Sequence, residues 1–512
     1  MTATESGNAT DAIRTSSDRI GPSDSRYADL IRRGINKRFT GAPDYVRLVG
    51  STAQVVDAVQ TAVREGLRLA VRSGGHCLEG FVGDPDVRVV LDASLMNALY
   101  FDETMGAFAV EPGLLLDETY RRLNLGWGVT LPAGECPSVG IGGHIAGGAF
   151  GFLCRQHGLA ADHLYAVEVV VVDEDGTARA VVATREQNDP NRELWWAHTG
   201  GGGGNFGVVT RYWLRSPNAN GGDPSTLLPK APESVLTCTA EWNWDDIDEA
   251  AFTRLVRNYG EWCERNSAPD SPTTALFSIL TLPRRQAGKI TLRAMVTGGA
   301  DAQHLLDEHT AAISDGARTP TVCDVSRMSW LKFALDPFPP LFTAGMDDAR
   351  MKVKDAFLRK RHTDRQIAAA YHHLTRADVD VPGGAFSLAT YGGRVNAVAP
   401  NETASAQRES ILTTAYVVGW GDPRDEARSL DWVRQLYRDV FAETGGVPVP
   451  GDVSNGALIN HPDADLADPA WNTSGVPWST LYYKDNYSRL QRIKAKWDPR
   501  DVFRHVLSIR PA

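Results

Sequence analysis

The chain is 512 residues long, 42% hydrophobic and 23% charged, with a formal net charge of −10 at pH 7. That length is too great for one ordinary core, so two or three domains are expected. The acidic balance disfavours phosphate backbones, so no nucleic acid partner is expected, and no apolar run of about 18 residues suggests a membrane-spanning helix.

In chain order, residues 1–24 are polar, rich in Ser, Thr, Asp and Gly, and lack the apolar stretch of a secretory signal; they read as a disordered lead. Val55, Val56, Val59, Ala62 and Val63 recur at helical spacing, and Gly66 is placed to end that helix. Leu67, Leu69 and Val71 then alternate with Arg68, Ala70 and Arg72, as in a strand. Ser73-Gly74-Gly75 forces a turn before His76. A strand is expected over 87–91, another ending at Val110, and a helix over 114–123. A glycine-rich stretch, Gly140 to Gly151, follows, then a buried strand over 166–172. Residues 40–215 thus alternate strands and helices.

Composition shifts at Ser216-Pro217-Asn218-Ala219-Asn220-Gly221-Gly222-Asp223-Pro224, which reads as a linker or long loop. Beyond it, strands are expected over 275–282 and 289–296, with an amphipathic helix over 250–264. Pro337-Phe338-Pro339-Pro340 interrupts the pattern. A last helix over 489–497 stops at Asp498-Pro499.

The six cysteines, Cys77, Cys136, Cys154, Cys238, Cys263 and Cys323, form no CxxC pair. They read as free thiols of a cytoplasmic protein. No metal site is expected: no H-E-x-x-H occurs, His304 and His309 are five apart, and the rings of His372 and His373 should point apart on a helix. Gly140-x-Gly142 lacks the third glycine of a nicotinamide fingerprint, which would fall at Ile145. Gly288-Lys289 is followed by Ile290, so there is no P-loop. Gly200 to Gly204 could cradle a phosphate or form a flexible turn. Taken alone, His76 reads as a structural histidine and Cys136 as a buried thiol.

Three ordered motifs carry more. Val71-Arg72-Ser73-Gly74-Gly75-His76 is the first. Gly134-x-Cys136-x-x-Val139-Gly140-x-Gly142-Gly143-His144 is the second. The third is Tyr482-Tyr483-Lys484-x-Asn486-x-x-Arg489-Leu490 with Lys494-x-x-x-Asp498-Pro499-x-x-x-Phe503. Together they resemble the signatures of berberine-bridge-type oxidases, of the vanillyl-alcohol oxidase flavoprotein superfamily. Trp195 to Gly200 and Asn472 to Trp478 resemble more closely the actinobacterial antibiotic-tailoring oxidases that act on hexoses and other sugars.

The resemblance implies an α+β fold: a two-lobed FAD-binding domain (25–215), a substrate domain whose antiparallel sheet is covered by helices (216–465), and a C-terminal segment returning to the first domain (466–512). It implies FAD bonded twice, through His76 to the 8α-methyl carbon and through Cys136 to C6. Cofactor contacts are expected from Arg72, Ser73, Gly74, Gly75, Ser138, Val139, Gly140, Gly142, Gly143, His144, Gly147, Gly207, Val209, Tyr482 and Asn486. The expected reaction is oxidation of an alcohol on a small-molecule natural product, a glycosylated or polyketide-like compound, with O2 reduced to H2O2. Val139, a small residue three after the cysteine, goes in this family with fast oxygen reaction.

Such oxidation needs a base for the hydroxyl proton. The sugar oxidases of this family use a tyrosine pair, and here the two positions are Phe150 and His461. The candidates for the base are therefore His461, Tyr391 of a Tyr-Gly-Gly turn, and Tyr483. Three rival readings stand beside this one. The flavin could drive ring closure or amine oxidation; the fold could serve as a non-catalytic binding protein; or the chain could be a nicotinamide dehydrogenase, against which the missing fingerprint argues.

Overall fold

The computed structural model describes residues 19–219, 222–338 and 348–512. Most of the expected lead lies outside them. Ile20, at its end, exchanges backbone hydrogen bonds of 2.9 Å with Val46 and is buried. Asn220 and Gly221 of the expected linker, and Pro339 and Pro340, also lie outside the described residues.

Three sheets organise the chain. The first is parallel: β1 (Tyr45–Leu48), β2 (Leu69–Arg72) and β3 (Val89–Asp92), in the order β1-β3-β2. The helix Thr52–Glu65 makes the crossover from β1 to β2. The Ser51 side chain accepts from Gln54 N at its start, and Gly66 ends it at a φ of 66°, a conformation that costs glycine nothing. Its face of Val55, Ala58, Val59 and Ala62 packs against Leu69, Val89 and Leu91.

The second sheet is antiparallel, in the order β4-β5-β8-β6-β7. Its strands are β4 (Leu99–Asp102), β5 (Ala107–Val110), β6 (Leu164–Val172), β7 (Ala178–Thr184) and β8 (Val208–Leu214). Val170, Val172 and Val208 join the core of the first sheet, so the two sheets form one double-lobed unit.

The third sheet has seven antiparallel strands in the order β12-β9-β11-β10-β14-β15-β13. These are β9 (Ser234–Asn243), β10 (Leu276–Pro283), β11 (Lys289–Thr297), β12 (Val322–Ser329), β13 (Arg350–Leu358), β14 (Gly384–Thr390) and β15 (Leu412–Trp420). Helices Glu249–Asn266, Ala302–Ser314, Asp364–Thr375 and Glu426–Val440 cover one face, burying Phe252, Leu255, Ile313, Ile367 and Leu436. The other face is left for the site.

The C-terminal helix Tyr487–Trp497 packs back on the glycine-rich 200–207 loop. Lys494, fully buried, donates to Asn205 O at 2.7 Å and pairs with Asp498 at 2.6 Å. A buried ammonium tolerates that position only because each proton has an acceptor.

Candidate active site

One cavity of about 740 Å³ runs between the first two sheets and the third. That volume suits a small-molecule site. One wall is the turn after β2. Arg72 at its base donates to Asp92 Oδ2 at 2.9 Å and to Arg33 O at 3.0 Å, and Ser73 donates to Pro112 O at 2.5 Å. The turn beyond is thereby fixed while its amides stay free. Among the described residues, the N–H groups of Gly74, Gly75 and His76 have no hydrogen-bond partner. Successive unpaired amides on a turn make a cradle for an anion.

The second glycine segment lies directly against the first. A Cβ on Gly140 would collide with the backbone of Gly74 and the hydroxyl of Ser73, and one on Gly74 would collide with Gly140. Only glycine at both positions lets the segments meet. Their reactive side chains then converge. His76 Nε2 is 2.9 Å from Ser138 Oγ, and Cys136 Sγ is 3.7 Å from the same hydroxyl. Burial, and then the nearby Arg33, lower the pKa of His76 to about 4. The ring is therefore neutral at pH 7 and has a lone pair to offer a carbon electrophile. His144 accepts from Gly134 N at 2.8 Å, which puts its own proton on Nδ1. Burial, then His461 and His76, lower its pKa to about 3.

Phe150 and His461 line the same cavity, and His461 lies near enough to Glu135 and His144 of the second segment to influence both electrostatically. The turn of His461 is clamped through its neighbour. Asn460 Oδ1 accepts from Ala149 N at 3.0 Å, and Asn460 Nδ2 donates to His144 O at 3.1 Å. His461 Nδ1 faces Asp355 Oδ2 on β13 at 3.4 Å, a carboxylate only 1% exposed. Burial raises the pKa of Asp355, and His461 is the largest influence opposing that rise. Behind this pair is a fully buried ion network. Lys352 pairs with Asp463 at 2.7 Å and with Glu79, and Lys354 pairs with Asp463 at 2.6 Å and Asp465 at 2.9 Å. Arg434 closes it on Asp465 at 2.8 Å. It ties β13, the turn of His461 and the segment after His76 together.

Of the residues expected at the site, Arg72, Ser73, Gly74, Gly75, His76, Cys136, Val139, Gly140, Gly142, Gly143, His144, Gly147, Gly207, Val209 and His461 all line this cavity. Five do not. Ser138 stands behind its two reactive neighbours. Tyr391 packs edge-on behind Phe150, with ring centroids 5.8 Å apart, and burial drives its pKa well above that of free tyrosine. The Tyr483 hydroxyl donates to Gly201 O at 2.9 Å, and the Tyr482 hydroxyl accepts from Asp463 N at 2.9 Å. Asn486 donates to Pro400 O at 2.7 Å. These last three lock the C-terminal segment in place.

The sequence motifs did not single out Asp355 or Glu135. Glu135 lines the cavity beside Cys136, and burial raises its pKa to about 7. It stood inside the second motif. Asp355 had only a weak signal, the alternation of charges in Lys352-Val353-Lys354-Asp355. No group of three or more His, Cys, Asp or Glu side chains is arranged to hold a metal among the described residues. The His372 and His373 rings do not point apart; their centroids lie 5.2 Å from each other, and His373 is held by Asp439.

A cleft with paired glycine segments, free turn amides and two converging nucleophiles defines an FAD-linked oxidoreductase, and the comparisons agree. The chain belongs to the berberine-bridge-like FAD oxidases. It matches the family models described as "FAD binding domain" over residues 43–181 and "Berberine and berberine like" over residues 457–510. It is 54% identical to aclacinomycin-N/aclacinomycin-A oxidase of Streptomyces galilaeus, over 97% of this chain and 90% of that protein. A glycopeptide hexose oxidase solved with teicoplanin superposes with a TM-score of 0.93 at 52% identity, over 97% of this chain and 99% of that one. A flavoenzyme involved in shunt product recycling in caerulomycin biosynthesis gives 0.94 at 50% identity, with coverages of 97% and 99%. The non-catalytic and nicotinamide readings fall away.

Proposed function

We propose that the protein oxidises an alcohol on a bulky natural product, a glycosylated or polyketide-like compound; its likeness to an aclacinomycin oxidase and a glycopeptide hexose oxidase supports this. We further propose that its FAD is bonded through both His76 and Cys136. The residues fit that cofactor: the free amides of Gly74, Gly75 and His76 suit a diphosphate, and the common Ser138 contact keeps an imidazole and a thiol within reach of one ring edge. Bound there, FAD would supply the two-electron acceptor for the alcohol, with O2 as the final oxidant, so that the net reaction is alcohol and O2 to carbonyl product and H2O2.

The protein's own part is positioning and proton handling. Phe150 supplies an apolar, proton-inert wall. His461 takes the hydroxyl proton at Nε2, because its Nδ1 is turned to Asp355. The buried carboxylate steadies the imidazolium that results, as a carboxylate does behind a catalytic histidine. Tyr391 and Tyr483 are weaker candidates, since neither lines the cavity.

The domain division follows from the same reading: residues 25–215 hold the cofactor, 216–465 roof it, and 466–512 return to brace it. The six cysteines are free, which supports a cytoplasmic setting. No helix of the described residues is long and apolar enough to cross a membrane.

The convergence of His76, Cys136 and His461 on one cavity carries this reading. A screen of glycosylated and polyketide alcohols read out by peroxide tests it. The expected product is two mass units lighter than its substrate, with one peroxide formed. A ring-closed product, or turnover without peroxide, would overturn the alcohol-oxidase assignment.

A further inference from the structure

The third sheet turns a nearly neutral face to the cavity. Its contributions are Ile279, Thr281, Val353, Ser387, Thr413 and similar small or apolar groups, with one exception, Arg293 on β11. Arg293 is half-buried, and burial lowers its pKa. Its backbone belongs to the β11 ladder, but among the described residues its side chain makes no ion pair and no hydrogen bond. The one carboxylate that counters its desolvation is Glu241, which is already paired with Lys289 at 2.5 Å. Asp336 lines the same cavity but makes no ion pair with it. A half-buried guanidinium that lines a cavity and has no protein partner is open to a ligand anion, and the group best shaped for it is a carboxylate taken in a two-point grip.

The strand register says how far this group lies from the reacting end. Arg293 is opposite Ile279, Ile279 opposite Ala389, Ala389 opposite Thr413, and Thr413 opposite Phe357. Asp355, behind His461, is two residues along from Phe357 on the same face. Arg293 and Asp355 are thus four strand spacings apart, roughly 19 Å at the backbone. The reach of the two side chains shortens the free span to on the order of 10 to 15 Å.

We propose that Arg293 recognises a carboxylate on the substrate. The substrate is then an extended molecule whose acid group lies across the sheet from the carbon oxidised at His461. This deepens the alcohol-oxidase reading and rests on it for the position of the reacting end.

The test uses the flavin-loaded enzyme and a matched probe pair: 4′-(glucosyloxy)biphenyl-4-carboxylate and its methyl ester. Binding is measured by calorimetry, independently of turnover. The wild type should bind the acid about tenfold or more tightly than the ester, the scale of one charge-assisted contact. Arg293→Gln should erase that preference, and Arg293→Lys should keep part of it, with flavin content unchanged in both. Equal affinity of wild type for acid and ester, no binding of the acid, a preference that survives in Arg293→Gln, or loss of flavin from that variant would each overturn the proposal. His461→Ala separates the two readings. If His461 is not the base, turnover survives there; the acid-over-ester preference reports on Arg293 alone.

Discussion

Asp355 Oδ2 lies 3.4 Å from His461 Nδ1, and the carboxylate is sealed from solvent while the imidazole opens on the cavity. The sugar oxidases that the sequence resembles put a tyrosine where this chain has His461. A tyrosine base must be made acidic by its surroundings. A histidine base instead needs an orienting partner for its second nitrogen. On the proposal that His461 is the base, Asp355 of β13 is the group placed to orient it.

His461→Ala should slow the reductive step about 10²- to 10⁴-fold, the usual yield of a positioned base. Flavin content and substrate affinity should change little. Rapid-mixing absorbance measures the step directly, and an unchanged rate would remove His461 from the mechanism.

Asp355→Asn keeps the shape and removes the charge. The reductive step should slow about tenfold or more while KM holds, because the developing imidazolium loses its counter-charge. A raised KM at unchanged kcat would instead assign Asp355 to binding.

The ion network behind the pair should be costly to break. Lys354→Met leaves the Asp463 and Asp465 carboxylates, both nearly inaccessible, short of a cation. About 3 to 5 kcal/mol of stability should be lost in urea unfolding of the flavin-loaded protein. A loss near zero would mean that water reaches these carboxylates.

Acid should destabilise the fold through its buried histidines. Burial holds His198 at about 4, and burial with neighbouring histidines holds His144 at about 3, whereas an unfolded histidine titrates near 6.5. The unfolded chain therefore binds these protons first. The stability these groups contribute is complete above about pH 6.5 and drains away as pH falls toward 4. Thermal midpoints at pH 7.5 and pH 5 check this, with the lower value expected at pH 5; a flat profile would contradict it.

The legible part of the chain was local. Helix Thr52–Glu65 announced itself by apolar spacing and its Gly66 stop, and the glycine motifs marked the cavity wall through turn chemistry. What stayed hidden depends on distant partners. No sequence motif marks Lys352 and Lys354, which are buried because Glu79, Asp463 and Asp465 arrive from far along the chain. Tyr482, Tyr483 and Asn486 belong to a recognisable motif, yet their hydrogen bonds go to Asp463, Gly201 and Pro400, which no local pattern announces. Strand β13, which carries Asp355, alternates charged and apolar residues from Arg350 to Lys354, the pattern of a strand with one solvated face, yet Lys352, Lys354 and Asp355 are buried because their partners arrive only in the folded protein.

The central claim is that His76 and Cys136 both hold the flavin, as their shared contact with Ser138 suggests. The most direct measurement is the flavin absorbance that stays with the polypeptide after denaturation and gel filtration, with intact mass read on the same fraction. Wild type, His76→Ala and Cys136→Ala should each keep one FAD per chain, and the double variant should release it. Release of the flavin from denatured wild type, or its complete loss from either single variant, would contradict attachment at both residues.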